Sequence, residues 1–178
     1  MDASIIEKVY RYTQSKSSPL KVWKQHLMGE LCELNDCKLL LSGDKVNMLV
    51  IGPKDTIEGI VVVYEWLKVQ LELMAGVGWV ESSKSMDPLK FRDAFFRYAT
   101  VEISRRMWDI KRTREASNSN ITGLVLLTEA AVDKFITNKY PRISAGRRQR
   151  KSYNSEGASA GRAAGRRVDV GQTKISGT

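Results

Sequence analysis

Arg97, Arg105 and Arg112 recur at seven- and eight-residue steps, and Trp108 falls between the last two. Cations at that spacing line one face of a helix, and an aromatic ring among them suits phosphate contacts plus base stacking. A second cluster, Arg147, Arg148, Arg150 and Lys151, stands beside Tyr153. Compact clusters of this kind neutralise phosphates without reading base sequence. A third set, Arg162, Arg166 and Arg167, lies in the stretch GASAGRAAGRR. The whole chain of 178 residues carries a net charge of +9. From Arg142 onward nine basic residues face only Glu156 and Asp169, which leaves the body before them close to neutral. A near-neutral body with a strongly basic tail is the layout of a protein that meets a polyanion. No amphipathic apolar face accompanies the tail charges, so a membrane surface is not the expected partner.

Other chemistry finds little support. The chain has no Gly-rich loop ending in Gly-Lys-Ser/Thr, no Gly-x-Ser-x-Gly and no zinc-spaced ligand set. Gly76-Val77-Gly78 is half of a phosphate-cradling fingerprint without its third glycine or preceding strand. Cys32 and Cys37 sit in apolar surroundings and read as buried thiols. The one histidine, His26, is six residues from Cys32, a poor match to helical facing for a nucleophile pair. Glu30, Glu33, Glu65 and Glu72 read as solvated helix faces. The expectation is a non-enzymatic protein with no cofactor and no metal. The longest apolar run, Ile60–Tyr64, is too short to span a bilayer, and the N-terminus lacks a secretory layout. A cytoplasmic location is expected, in a bacterial or phage-infected cell.

The elements that must position these residues follow from caps and periods. Ser4 with Glu7 forms a capping-box pair, which predicts a first helix carrying Ile5, Ile6, Val9 and Tyr10, broken by TQSKSS. Ser18-Pro19 opens a second helix with Leu20, Trp23, Leu27, Leu31 and Leu34 on its apolar side, ending near Asn35. The runs Cys37–Leu41 and Val46–Ile51, joined by SGDK, read as a β-hairpin. Asp55 and Glu58 cap a long helix that buries Ile57, Ile60, Val61, Tyr64, Leu67, Leu71 and Met74 and stops at Gly76. After a loop, Asp87-Pro88 starts a fourth helix to about Arg114. Its apolar face is Phe91, Phe95, Tyr98, Ala99, Ile103, Met107 and Ile110. The opposite face carries Lys90, Arg97, Arg105, Lys111 and Arg112, with Val101 and Trp108 among them. SNSN ends that helix; a third strand, Ile121–Leu127, and a last helix from Thr128 to Tyr140 complete the body. The predicted order is α-α-β-β-α-α-β-α. This is an α+β domain over residues 1–141 with a small sheet of about three strands, followed by a basic Gly/Ala/Arg-rich extension over 142–178.

Within the extension, Gly157, Gly161 and Gly165 fall on one face if the segment is helical. Each glycine disfavours a free helix by about 1 kcal/mol relative to alanine. The segment is therefore either without structure or helical because something holds it. A glycine face lets another backbone approach closely.

The order of motifs resembles an uncharacterised α/β family of bacterial and phage proteins that usually follow a helical module labelled domain of unknown function 2786. The resembling stretches are WKQHLMGELCELNDCKLLL, VNMLVIGPKDTIEGIVVVYEWL, FRDAFFRYATVEISRRM, GLVLLTEAAVDKFITNKYP, and a basic linker closed by GRAAGRR. They cover nearly the whole chain, and each is weakly specific by itself. The helical module is replaced here by about 18 residues ahead of Pro19. The resemblance implies a fold pattern and a phage or mobile-element setting, with no activity to transfer.

The expected function is nucleic-acid binding driven by the backbone and favouring single strands. The DNA- or RNA-contacting residues are those of the three arginine sets and Trp108. The alternative is a protein-interaction or self-assembly module whose face Gly157, Gly161, Gly165 docks on another copy or on a host protein.

Overall fold

The computed structural model describes residues 4–11, 22–43, 46–117, 119–143 and 155–170, with backbone only for 119–126. The described residues form three strands and five helices: β1 (Ile5–Arg11), α1 (Val22–Leu34), β2 (Lys38–Leu41), β3 (Asn47–Pro53), α2 (Lys54–Glu81), α3 (Pro88–Ala116), α4 (Ser119–Lys139) and α5 (Glu156–Arg167). The class is α+β, as expected, but the order is β-α-β-β-α-α-α-α. The expected helix start at Ser18-Pro19 and the tip of the hairpin at Asp44 and Lys45 lie outside the described residues.

Residues near the start correct the first expected helix. Ile5–Arg11 is a strand, paired antiparallel to β3 from Ile5↔Pro53 to Arg11↔Asn47. Seven residues are too few for a self-supporting helix, which needs about 12–15, whereas an adjacent strand satisfies the backbone at once. The intended capping residue is also engaged elsewhere. The Glu7 carboxylate accepts from the Tyr140 hydroxyl and lies 3.1 Å from Lys139 Nζ. Those contacts fasten the end of α4 to β1.

The hairpin stands as expected: β2 pairs antiparallel with β3, giving the sheet order β1-β3-β2. Central β3 is also the most buried strand, with Met48, Val50, Ile51 and Gly52 inside. At Gly52 a Cβ would collide with Cys37 Sγ, so a larger residue there would require the buried Cys37 side chain to move.

The strand expected at Ile121–Leu127 is instead the first half of α4. A short, largely apolar stretch such as ITGLVLL does not distinguish strand from helix by period, and the third place in the sheet is taken by β1. Helix α4 accordingly begins nine residues before the expected cap, Thr128.

The described chain gathers into two compact units: residues up to Lys68 with 119–143, and Val69–Ser117 with 155–170. In the first unit, α1 buries Trp23, Leu27, Met28, Leu31 and Cys32, the start of α2 buries Ile57, Ile60, Tyr64 and Leu67, and α4 buries Val132. Tyr10 of β1 meets Tyr64 edge-on, ring centres 5.5 Å apart.

The second unit consists of the end of α2 with α3 and α5. Helix α2 does not stop at Gly76 but continues through Gly78 to Glu81, where Ser82 Oγ donates to the Trp79 carbonyl at 2.7 Å. Gly78 faces the Phe95 ring, where a Cβ would make ordinary van der Waals contact at 3.4 Å. Helix α3 starts as expected. Asp87 Oδ1 accepts from the amides of Leu89 at 3.0 Å and Lys90 at 3.1 Å, and Pro88 follows at the first helical position. Its buried side includes Phe91, Phe95, Ala99 and Ile103.

Candidate functional site

The segment GASAGRAAGRR is helical because α3 holds it. Gly157, Gly161 and Gly165 meet Phe91, Phe95 and Ala99 in that order, so the two helices run parallel and step together by four residues. A Cβ on Gly157 would lie 2.6 Å from the Phe91 carbonyl oxygen, and one on Gly165 would lie 2.9 Å from that of Ala99. The fit at Gly161 against Phe95 is tighter still. Backbones this close place glycine Cα–H groups against carbonyl oxygens, a weak attraction that larger residues forfeit. The glycine face thus lies against a helix of its own chain.

Both ends of α5 are clamped. At the start, Ser155 Oγ accepts from the Ala158 amide at 3.3 Å. Glu156 accepts from the Ser83 amide at 2.8 Å and the Ser83 hydroxyl at 2.6 Å. Those hydrogen bonds hold its carboxyl below the usual carboxylate range. At the other end, Arg106 Nη1 donates to the Gly165 and Val168 carbonyls, each at 2.7 Å. The last carbonyls of a helix lack partners within it, and a guanidinium there also meets the negative end of the helix dipole.

Docking brings two arginine sets together. Helix α3 carries Lys90, Arg92, Arg97, Arg105, Arg106, Lys111, Arg112 and Arg114 against Asp93, Glu102, Asp109 and Glu115. Helix α5 adds Arg162, Arg166 and Arg167 against Glu156. The Arg162 guanidinium stacks on Tyr98, 4.3 Å from the ring centre. Arg166 Nε lies 3.7 Å from Glu102 Oε1, and Arg105 Nη2 donates to the same oxygen at 2.7 Å. The Arg105 hydrogen bond, with the neighbouring arginine charges, draws the Glu102 carboxyl below its usual range despite partial burial. Asp109 bridges Arg105 at 3.1 Å and Arg112 at 2.8 Å.

The expected contact residues therefore divide. Arg105, Arg112, Arg166 and Arg167 are exposed. Arg97 is mostly covered and lies 3.6 Å from Asp93. Trp108 is half-buried with Lys111 Nζ 5.2 Å from its ring centre. Arg147, Arg148, Arg150 and Lys151 lie outside the described residues. Sequence reasoning missed Arg106 and the Glu156–Ser83 clamp. An acid directly after a capping serine was the available signal for the clamp. Arg106, one of two adjacent arginines, gave no sign of which would turn inward.

Cys32 and Cys37 are fully buried and unpaired by disulfide. Burial pushes the Cys37 thiol up to about 11 and the Cys32 thiol higher still. His26 Nδ1 lies 4.0 Å from Glu30, one turn along α1. No group of three metal-ligating side chains occurs among the described residues, and no described helix is long and apolar enough to cross a membrane. No protein-family model, curated protein or solved structure matches the chain.

Proposed function

We propose that this chain is a non-enzymatic nucleic-acid-binding protein of phage or mobile-element origin that grips the phosphodiester backbone along α3 and α5. The observation behind this reading is the alignment of Arg105, Arg112 and Arg166 on two parallel helices whose combined residues carry a clear excess of positive charge. Their carboxylate partners do not argue against it. The pairs that Asp109 makes with Arg105 and Arg112 are exposed and contribute about 0–1 kcal/mol each. Phosphate oxygens therefore exchange with Asp109 at small cost, while the more covered Glu102 keeps Arg105 and Arg166 side by side. The carboxylates meanwhile hold the guanidinium groups extended in the free protein. Arg162, flattened on Tyr98, adds a planar donor set of the kind that takes a phosphate bidentately. Trp108, partly exposed on the same helix, supports a preference for single strands, whose unpaired bases can stack on its accessible part.

The test is fluorescence anisotropy with labelled single- and double-stranded DNA and RNA at two salt concentrations. The comparison protein is the triple variant Arg105→Ala, Arg112→Ala, Arg166→Ala. Removal of the tail is a poor control, because it would uncover Phe91 and Phe95. Binding that falls steeply with salt and is lost in the triple variant supports the reading. No binding at low salt, or equal binding by both proteins, refutes it.

A further inference from the structure

The arginines along α3 and α5 do not share the same kind of neighbour. Arg105, Arg112 and Arg166 each lie beside a carboxylate, Glu102 or Asp109. Among the described residues Arg162 has no carboxylate partner. Its guanidinium covers the Tyr98 ring instead, 4.3 Å from the ring centre. Tyr98 belongs by period to the apolar side of α3, yet it is only partly buried, as is Arg162. A guanidinium lying on a ring has one flat face covered and the other turned away from it. Such a face is planar, cationic and weakly hydrated, and unpaired bases stack on it. Bases within a duplex are already stacked on one another and present mainly phosphates.

The pair also stands in line with the residues that grip phosphate. Tyr98, Arg105 and Arg112 follow at seven-residue steps, which return to nearly the same side of α3. On α5, Arg166 is one turn beyond Arg162, about 6 Å along the axis, and it meets Glu102, one turn beyond Tyr98. A strand whose phosphates lie against Arg112, Arg105 and Arg166 therefore reaches Arg162 within one further turn. We propose that the Tyr98–Arg162 stack is where an unpaired base docks, and that it sets the preference for single strands. This rests on the nucleic-acid reading above and adds to it the residues that separate single from double strands. Arg162 is the contact, with base on one face and Tyr98 on the other; Tyr98 is a positioning residue that keeps the guanidinium flat.

The test uses the full chain and two labelled single strands of equal length, one ordinary and one with every base replaced by an abasic residue. Both carry the same phosphates, so the abasic strand reports the electrostatic grip alone. The wild-type chain is expected to bind the ordinary strand about tenfold more tightly. Arg162→Lys keeps the charge and loses the flat guanidinium. It should bind the abasic strand as wild type does and lose most of the tenfold difference. Tyr98→Leu, which removes the backing ring and leaves every charge in place, should narrow the difference in the same way. Equal binding of the two strands by wild type overturns the proposal and leaves the backbone grip standing. A difference that survives both variants also overturns it, as does one abolished only by Trp108→Leu, which places the base on Trp108. If neither strand binds at low salt, the nucleic-acid reading fails and the proposal with it.

Discussion

Gly161 rests directly on the Phe95 carbonyl, with no room for a side chain between α5 and α3. Helix α5 is therefore held by backbone proximity and terminal clamps more than by interdigitating side chains. Its stability is unusually sensitive to one added methyl group.

Gly161→Ala should destabilise the fold by about 2 kcal/mol, the scale of overpacking in a tight interface. Gly59→Ala is the matched control. Gly59 also lies within a helix, but nothing stands within 4 Å of where its Cβ would be. There alanine should stabilise by about 1 kcal/mol through helix propensity alone. Urea unfolding of the two variants should give shifts of opposite sign.

Arg106→Met should cost about 2 kcal/mol, since it strands the Gly165 and Val168 carbonyls that the guanidinium caps. Lysine should restore only part of this, lacking the fixed donor fork. Hydrogen exchange should locate the loss at the end of α5, with amides at the start of α3 unchanged.

Acid should loosen α5 at its other end. Glu156 has its carboxyl held below the usual range by Ser83, so its ionised form stabilises the folded chain. That contribution is full above about pH 4.3, the ordinary glutamate value, and disappears as pH falls through the lower folded value. Wild type and Glu156→Gln should differ by a constant amount at neutral pH and converge below that window. A pH series of thermal melts reads this directly, and a gap that persists at pH 2 would contradict the assignment.

Arg112→Ala should weaken nucleic-acid binding uniformly across sequences and lower the slope of log affinity against log salt by about one. Arg97→Ala should leave that slope unchanged, because its side chain is mostly covered beside Asp93. The two arginines looked equivalent on the helical wheel.

That equivalence shows where sequence reading stops. The wheel of α3 assigned its buried side correctly, because Phe91, Phe95, Ala99 and Ile103 share one period. The cap at Asp87-Pro88 was legible because its chemistry is local. Ile5–Arg11 was not, since its state is decided by β3, some forty residues away. Ile121–Leu127 failed for a related reason: its period is ambiguous, and the competing strand lay at the far end of the sequence. The spacing of Gly157, Gly161 and Gly165 announced a close contact. The identity of the surface beneath it required knowing that Phe91, Phe95 and Ala99 advance at the same step. The arginines were found by type, but which of them face solvent depends on carboxylates one turn away.

The pairing of α5 with α3 also has a consequence during synthesis. Residues that meet across it, such as Phe91 and Gly157, are separated by most of the C-terminal half of the chain. A ribosome adding about 5–20 residues per second releases Phe91 and Phe95 several seconds before their cover exists. During that interval the nascent chain presents an aromatic surface that any chaperone, or a neighbouring nascent copy, can reach first. A message truncated or stalled before codon 157 would leave that surface permanently open, and quality control would meet it as a sticky intermediate.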